Sequence, residues 1–281
     1  MIFYRKILIF EVIMITLNYF SIIILSIIQS LTEFLPISSS AHVIIFSKIL
    51  NIINNKNLQI FEITIQLGST FAIIIIFWKK IIQIILNTIY HKIYDKKKIN
   101  IFKIIISTLP VIFIGLIFSD KIIAINNILY IIYGLFLGGL LLLFSEIYKP
   151  KIHNIKNLNY ISYNLNFIIG CFQCLALLPG VSRLGSTLSI SLLLGIKRSI
   201  AIDFCFILSI PVIFGANLLT LYNNYSIINF NDYKILFIGF FISFIISLFL
   251  IKKFIYLINN ISLIWFSIYR IFLILILILI Y

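Results

Sequence analysis

The chain has 281 residues, of which 62% are hydrophobic and 11% charged, with a mean hydropathy of +1.19. A soluble domain would carry about 25% charged residues, so this composition excludes an ordinary water-soluble protein and points to a polytopic membrane protein. The formal charge of +14 does not point to nucleic acid, because the lysines and arginines sit in short segments between apolar runs, the pattern that orients membrane helices.

In chain order, MIFYRKILIFEVIMITLNYF begins basic, but Glu11 interrupts its apolar run and no small-residue cleavage site comes after it, so it does not read as a signal peptide. Apolar runs fall at roughly 12–30, 58–78, 101–118, 128–146, 161–178, 201–221, 235–251 and 261–280. Two further segments, about 36–50 and 179–196, are shorter and interrupted by Pro, Gly and Ser, as re-entrant segments are. The expected fold is therefore an all-α polytopic membrane protein. It has about eight transmembrane helices plus two re-entrant broken-helix segments in an inverted-repeat arrangement. One integral membrane domain covers 1–281, with a first half over about 12–146, a second over about 161–281, and a basic cytoplasmic loop over 79–103.

Placing Lys79, Lys80, Lys92, Lys96, Lys97, Lys98 and Lys103 in the cytoplasm also puts Lys149, Lys151, Lys156, Lys197, Arg198, Lys252, Lys253, Arg5 and Lys6 there. Only Lys48, Lys56, Lys121 and Lys234 fall outside, which is the expected positive-inside bias. Cys171 and Cys174 form a CFQC spacing that looks like half of a metal or redox site. It lies in an apolar segment without a second pair, so these thiols and Cys205 are expected to be buried and inert.

The first broken segment reads QSLTEFLPISSSAH. Gln29 and Glu33 are spaced to share one helix face. Pro36 disfavours helix at Leu35. Ser38, Ser39 or Ser40 can cap a new helix with His42 in its first turn. In the second, LLPGVSRLGSTLSISLLLG, Pro179 and Gly180 break the chain, Ser182 or Ser186 can cap the next helix, and Arg183 supplies a permanent cation. Two helix N-termini beside an arginine make an anion site that suits phosphate. An acidic residue comes after each break at the same spacing, Glu62 after His42 and Asp203 after Arg183. Paired broken segments in two halves point to a site at mid-membrane.

Plainer readings exist for each residue. Ser40, Ser186 and Ser189 can serve only to bond neighbouring helices. His42 can be a satisfied core side chain, Glu33 and Arg183 one buried ion pair, and Glu62 and Asp203 helix-start charges near an interface. Convergence of acid, imidazole, hydroxyls and guanidinium on the two breaks favours a functional site.

These residues carry a resemblance. QSLTEFLPISSSAH, FEITIQLGSTFAI (61–73), GCFQCLALLPGVSRLGSTLS (170–189) and ISLIWFSIYR (261–270) resemble the undecaprenyl-diphosphatase family, the bacitracin-resistance type of bacterial membrane phosphatase, in order from about residue 20 onward. The resemblance implies hydrolysis of undecaprenyl diphosphate to the monophosphate carrier used in cell-wall synthesis. It also implies a bacterial inner-membrane location, a site facing the periplasm, and a divalent cation, magnesium or calcium. The family's acidic element falls on Gln29 and Glu33, which would hold the metal. Its serine cluster falls on Ser38 and Ser39, its histidine on His42, and its PGxSRSxxT element on Pro179, Gly180, Ser182, Arg183 and Thr187. The chain departs from the commoner pattern at Gln29, where Glu is usual, and at Ser30 and Ala41, where Gly is frequent. It departs also at Leu184, in place of a serine, and at Asp203, in place of Glu; lowered activity or altered metal affinity is the expected consequence.

In the mechanism this implies, Arg183 and the two helix N-termini hold the terminal phosphate, with Gly180, Ser38, Ser182 and Thr187 around it. Glu33 binds a metal or orients a water, and Gln29 can coordinate but cannot act as a base. His42 suits general acid–base work. Ser39 is a candidate nucleophile with His42 to accept its proton, and direct attack by water fits equally. The partner is a membrane isoprenoid diphosphate lipid, whose tail stays in lipid while its diphosphate enters sideways; a homodimer is allowed. A transporter or flippase of lipid phosphates using the same broken-helix anion site is the alternative. A serine–glycine–histidine lipid phosphatase with a later His-Asp pair is disfavoured, since His91 and His153 lie in basic loops.

Overall fold

Apolar runs in lipid have only their own backbone to hydrogen-bond, and here they fold as helices. The computed structural model describes residues 19–50, 52, 56–90, 98–118, 127–152, 154–224 and 230–280, and among these there are ten α-helices and no named strand. They are α1 (Tyr19–Thr32), α2 (Ser39–Ile49), α3 (Lys56–Tyr90), α4 (Ile101–Ile117), α5 (Ile128–Tyr148), α6 (Tyr163–Gln173), α7 (Arg183–Leu193), α8 (Arg198–Asn224), α9 (Phe230–Asn260) and α10 (Leu263–Ile280). By length and composition, Leu58–Tyr90, Ile128–Tyr148, Arg198–Asn223 and Tyr233–Asn260 can each cross a membrane. Tyr19–Thr32, Ile101–Ile117, Tyr163–Leu177 and Leu263–Leu279 are apolar but shorter. Trp78, Phe113, Tyr133, Phe237 and Phe249 face outward, an apolar exterior fit for lipid.

The helices approach through small polar residues, as membrane helices do. Ser69 and Ser243 meet at 2.8 Å between α3 and α9, Ser243 also donates to the Ile65 carbonyl, and Ser30 of α1 donates to Ser243 O at 3.1 Å. Ser267 of α10 donates to Gly139 O on α5 at 2.9 Å, and Ser107 of α4 to Asn166 Oδ1 near the start of α6 at 2.9 Å. The two short helices are held inside this frame. α2 packs Ala41, Ile44 and Ile45 on Ile131 and Leu135 of α5 and Leu273 and Leu277 of α10, while α7 is buried from Leu184 to Leu192.

The basic segments gather at one end. Asn87 donates to Ile99 O, Ile99 N to Asn159 Oδ1, and Ile155 bridges Ile196. Glu146 pairs with Lys149 and Arg198 and accepts from Ser262, and Lys80 pairs with Asp203. The structure differs from the expected loop over 79–103 at both ends, residues 91–97 lying outside the described residues. α3 continues through Lys79 and Lys80 to Tyr90 and α4 starts at Ile101, because IIQIILNTIY carries on an apolar helical pattern that the lysines only decorate. The thiols also differ from expectation, since Cys205 is buried but Cys174 is only partly so and Cys171 lies on the exposed face of α6. The part of the first apolar run before residue 19, Glu11, His91 and His153 lie outside the described residues.

Candidate active site

The two breaks reach one conformation from different sequences. After Pro36 the chain turns tightly, with Ile37 N donating to Leu35 O at 2.8 Å, and Ser38 takes φ 73°. After Pro179 and Gly180, Ser182 takes φ 70°. These are the described non-glycine residues with positive φ, a state that costs about 1–3 kcal/mol and marks functional turns. Each serine then caps its helix. Ser38 Oγ accepts from Ala41 N at 3.4 Å, and Ser182 Oγ from Gly185 N at 3.1 Å. Aligning the helices on these caps pairs Ser39 with Arg183 and His42 with Ser186. The spacing that matched Glu62 with Asp203 is therefore not the structural register. Those two acids have separate fates: Asp203 pairs with Lys80, while Glu62 Oε1 is buried without a partner among the described residues.

Ser38, Ser39 and Ser40 border the same cavity as Ser182, Arg183 and Leu184, a space of about 200 Å³. These are the cap and first two residues of α2 and of α7. Helical N–H groups at such positions have no intrahelical acceptor, so two positive helix ends meet at one cavity.

Glu33 is the hub of its wall. Its Oε1 accepts from Arg183 Nη2 at 2.5 Å, and its Oε2 from Gln29 Nε2 at 2.8 Å and Ser39 Oγ at 2.6 Å. The side chain of Glu33 is 3% exposed and that of Arg183 18%, so the pair sits in a medium that strengthens it. The structure thus brings Glu33, Ser38, Ser39, Ser182 and Arg183 to the cavity, with Gln29 directly behind Glu33.

Other expected residues stand further back. His42 does not reach Ser39. Its Nδ1 lies 2.7 Å from Ser38 O and its Nε2 2.8 Å from the Tyr269 hydroxyl, with the two rings stacked. A carbonyl only accepts, so Nδ1 carries the hydrogen and Nε2 of the neutral ring accepts from Tyr269. Thr187 donates back to Arg183 O at 2.8 Å and is buried. Gly180 takes φ +100°, and a Cβ there would collide with Ile131 O of α5, so its role is to let the second break lie against that helix. Ser186 donates to Arg183 O and Ser40 meets Ser38 Oγ, whereas Ser189 Oγ has no partner among the described residues.

Sequence reasoning missed a central arginine. Arg270 of α10 is fully buried and makes no ion pair among the described residues; its guanidinium ties both breaks together. Nε and Nη2 donate to Pro36 O at 3.0 and 2.8 Å, Nη1 to Gly180 O at 3.2 Å and Nη2 to Val181 O at 3.0 Å. Gly138 of α5 leaves room for it, since a Cβ there would overlap Nη1. The signal was present: an arginine inside the apolar run of α10 is a functional candidate wherever it occurs in a membrane protein.

Glu33 and Gln29 offer hard oxygen donors of the kind magnesium and calcium take, and one carboxylate plus ligand phosphate oxygens is a common magnesium set. Among the described residues no group of three His, Cys, Asp or Glu stands together, and both Glu33 oxygens already accept hydrogen bonds from Arg183, Gln29 and Ser39.

The chain is 47% identical over 248 residues, 88% of its length and 92% of theirs, to proteins named undecaprenyl-diphosphatase from Buchnera aphidicola subsp. Schizaphis graminum and from Buchnera aphidicola subsp. Acyrthosiphon pisum strain Tuc7. The model of the family described as bacitracin resistance protein BacA matches residues 22–276, so the chain belongs to that family.

Proposed function

We propose that this protein is an undecaprenyl-diphosphatase, releasing inorganic phosphate from undecaprenyl diphosphate and leaving the monophosphate lipid carrier in a bacterial inner membrane. The observation that carries this reading is the single cavity where two capped helix N-termini meet beside Glu33, Ser39 and Arg183. The family and its named relatives supply the substrate.

In the proposed reaction the terminal phosphate lies against the N-termini of α2 and α7 with Arg183 as its fork. The attacking oxygen is Ser39 Oγ or a water in its place. Ser39 already donates to Glu33, so Glu33 is positioned to take the proton, and this geometry favours Glu33 over His42 as its acceptor. The anhydride bond breaks with its electron pair going to the bridging oxygen of the departing lipid monophosphate. Were Ser39 the nucleophile, water would then release phosphate from it. Glu33 and Gln29 would hold a magnesium or calcium ion, which when bound neutralises charge on the phosphate oxygens. His42 anchors the first cap through Ser38 O.

The lipid reading has its own support. An apolar groove opens beside α10, lined by Leu35, Ile37, Ile261, Trp265 and Tyr269, and Leu35 also borders the polar cavity. A tail in the groove would bring its diphosphate to the Leu35 that borders both spaces. The re-entrant reading of α2 and α7, their inverted-repeat relation, eight crossings and a site facing the periplasm belong to this proposal, supported by the paired caps and by the basic segments gathered at one end.

The test is phosphate release from undecaprenyl diphosphate by detergent-purified protein, with and without magnesium or calcium. Metal-dependent release is expected. No release from folded protein would overturn the diphosphatase reading and leave anion transport through the same site.

A further inference from the structure

Two glutamines on the cavity wall remain unused by this mechanism. Gln66 projects from α3 and Gln173 closes α6, so both come from helices outside the two breaks. Gln173 is 1% exposed, and its amide nitrogen and oxygen are both shielded from solvent without a hydrogen-bond partner among the described residues. Gln66 is partly buried and its side-chain amide likewise makes no hydrogen bond with the described residues. Most of the remaining wall away from the breaks is aliphatic, as at Val111, Val212 and Ile213.

An unpaired amide buried in a membrane protein costs stability, whereas Ser30, Ser69, Ser107 and Ser267 do find acceptors in this bundle. What distinguishes Gln66 and Gln173 is the cavity they border. Its other polar contributors are the Glu33 carboxylate, whose oxygens already accept from Arg183, Gln29 and Ser39, and a guanidinium, helix-end N–H groups and hydroxyls, and these donors call for a ligand rich in acceptors. A diphosphate has many acceptor oxygens, and Arg183 with two helix ends cannot meet them all. Amides add donors without adding charge, so they neither pair with Glu33 as a lysine would nor hold the product phosphate by a further ionic contact. A glutamine can also accept from a water while donating to phosphate, the arrangement by which a glutamine orients water in other phosphoryl-transfer sites.

We infer that Gln66 and Gln173 are substrate-contacting residues, whose amide N–H groups donate to the oxygens of the bound diphosphate, with Gln173 turning from its packed position into the cavity when the ligand is present. This rests on the diphosphatase reading of the cavity given above.

The experiment uses the full-length protein with Gln66→Met and Gln173→Met, which keep side-chain length and volume and remove only the amide, alongside Arg183→Ala. kcat and KM for undecaprenyl diphosphate and the melting temperature in detergent are measured for each. The expected result is a fall in kcat/KM of about tenfold or more for each methionine variant, with the Gln173→Met melting temperature equal to or above that of the parent, since an unpaired buried amide has been removed. Gln66→Met tests the same claim at a more accessible position. Either variant retaining kcat/KM within about twofold of the parent, or losing activity only in step with a lowered melting temperature, overturns the inference. If Arg183→Ala is inactive in the same assay, that failure belongs to the glutamines alone. If Arg183→Ala is active too, the site reading has failed with it.

Discussion

The two breaks share a backbone and differ in what they deliver. Each has a proline, a serine at positive φ and a capped eleven-residue helix. The first brings a carboxylate and a hydroxyl, Glu33 and Ser39; the second brings a cation, Arg183. Helix termini attract anions whatever the side chains, so in the proposed reaction the shared part of the design would bind and the differing part would do the chemistry. Neither break is complete alone, because Glu33 is oriented by Arg183 across the cavity and both loops hang from Arg270.

Substitutions can pull these layers apart. The largest effect is expected for Arg183→Ala, a fall in kcat/KM on the order of 10³-fold or more in a phosphate-release assay, with Arg183→Lys recovering only part because it lacks the fork. Arg270→Met should come next. It leaves three buried carbonyls without donors, at about 1–3 kcal/mol each, and should lower the detergent melting temperature as well as kcat; an unchanged melting temperature would show that the breaks hold themselves. Ser39→Ala should cost about 10²-fold, and its effect should couple to Glu33→Gln but add independently to His42→Gln. Coupling to His42 instead would restore His42 as the proton acceptor. Ser38→Ala and Ser182→Ala should each remove about 1 kcal/mol of helix-cap stability, read by thermal unfolding, and by similar amounts if the two breaks are equivalent. The smallest effect is expected for Tyr269→Phe, a loss of less than about tenfold in kcat/KM; a loss as deep as that of Ser39→Ala would place Tyr269 in the chemistry.

The layer proposed to bind was legible in the sequence and the layer that aligns it was not. Pro36, the serine run, Pro179 and Gly180 act on their own neighbours, so the breaks and the caps could be read locally, although which serine caps needed φ angles. The spacing of Gln29 and Glu33 on one face held because it is a property of one helix turn. Arg270 and Tyr269 sit at the far end of the chain, and only tertiary packing brings them to Pro36 O and His42. His42 was placed beside Ser39 by sequence proximity, yet in α2 its ring turns toward α10 and away from the cavity. Gln66 and Gln173 lie far apart in the chain, and only tertiary packing places them on one cavity.

The central claim is that two separate breaks act as one site, and a double-mutant cycle between Ser39 and Arg183 tests it most directly. With kcat/KM for phosphate release measured for Ser39→Ala, Arg183→Ala and the double variant, the account predicts that the double variant loses scarcely more than the worse single one, because each residue works only with the other in place. Losses that multiply would mean that the two breaks act independently, and would contradict it.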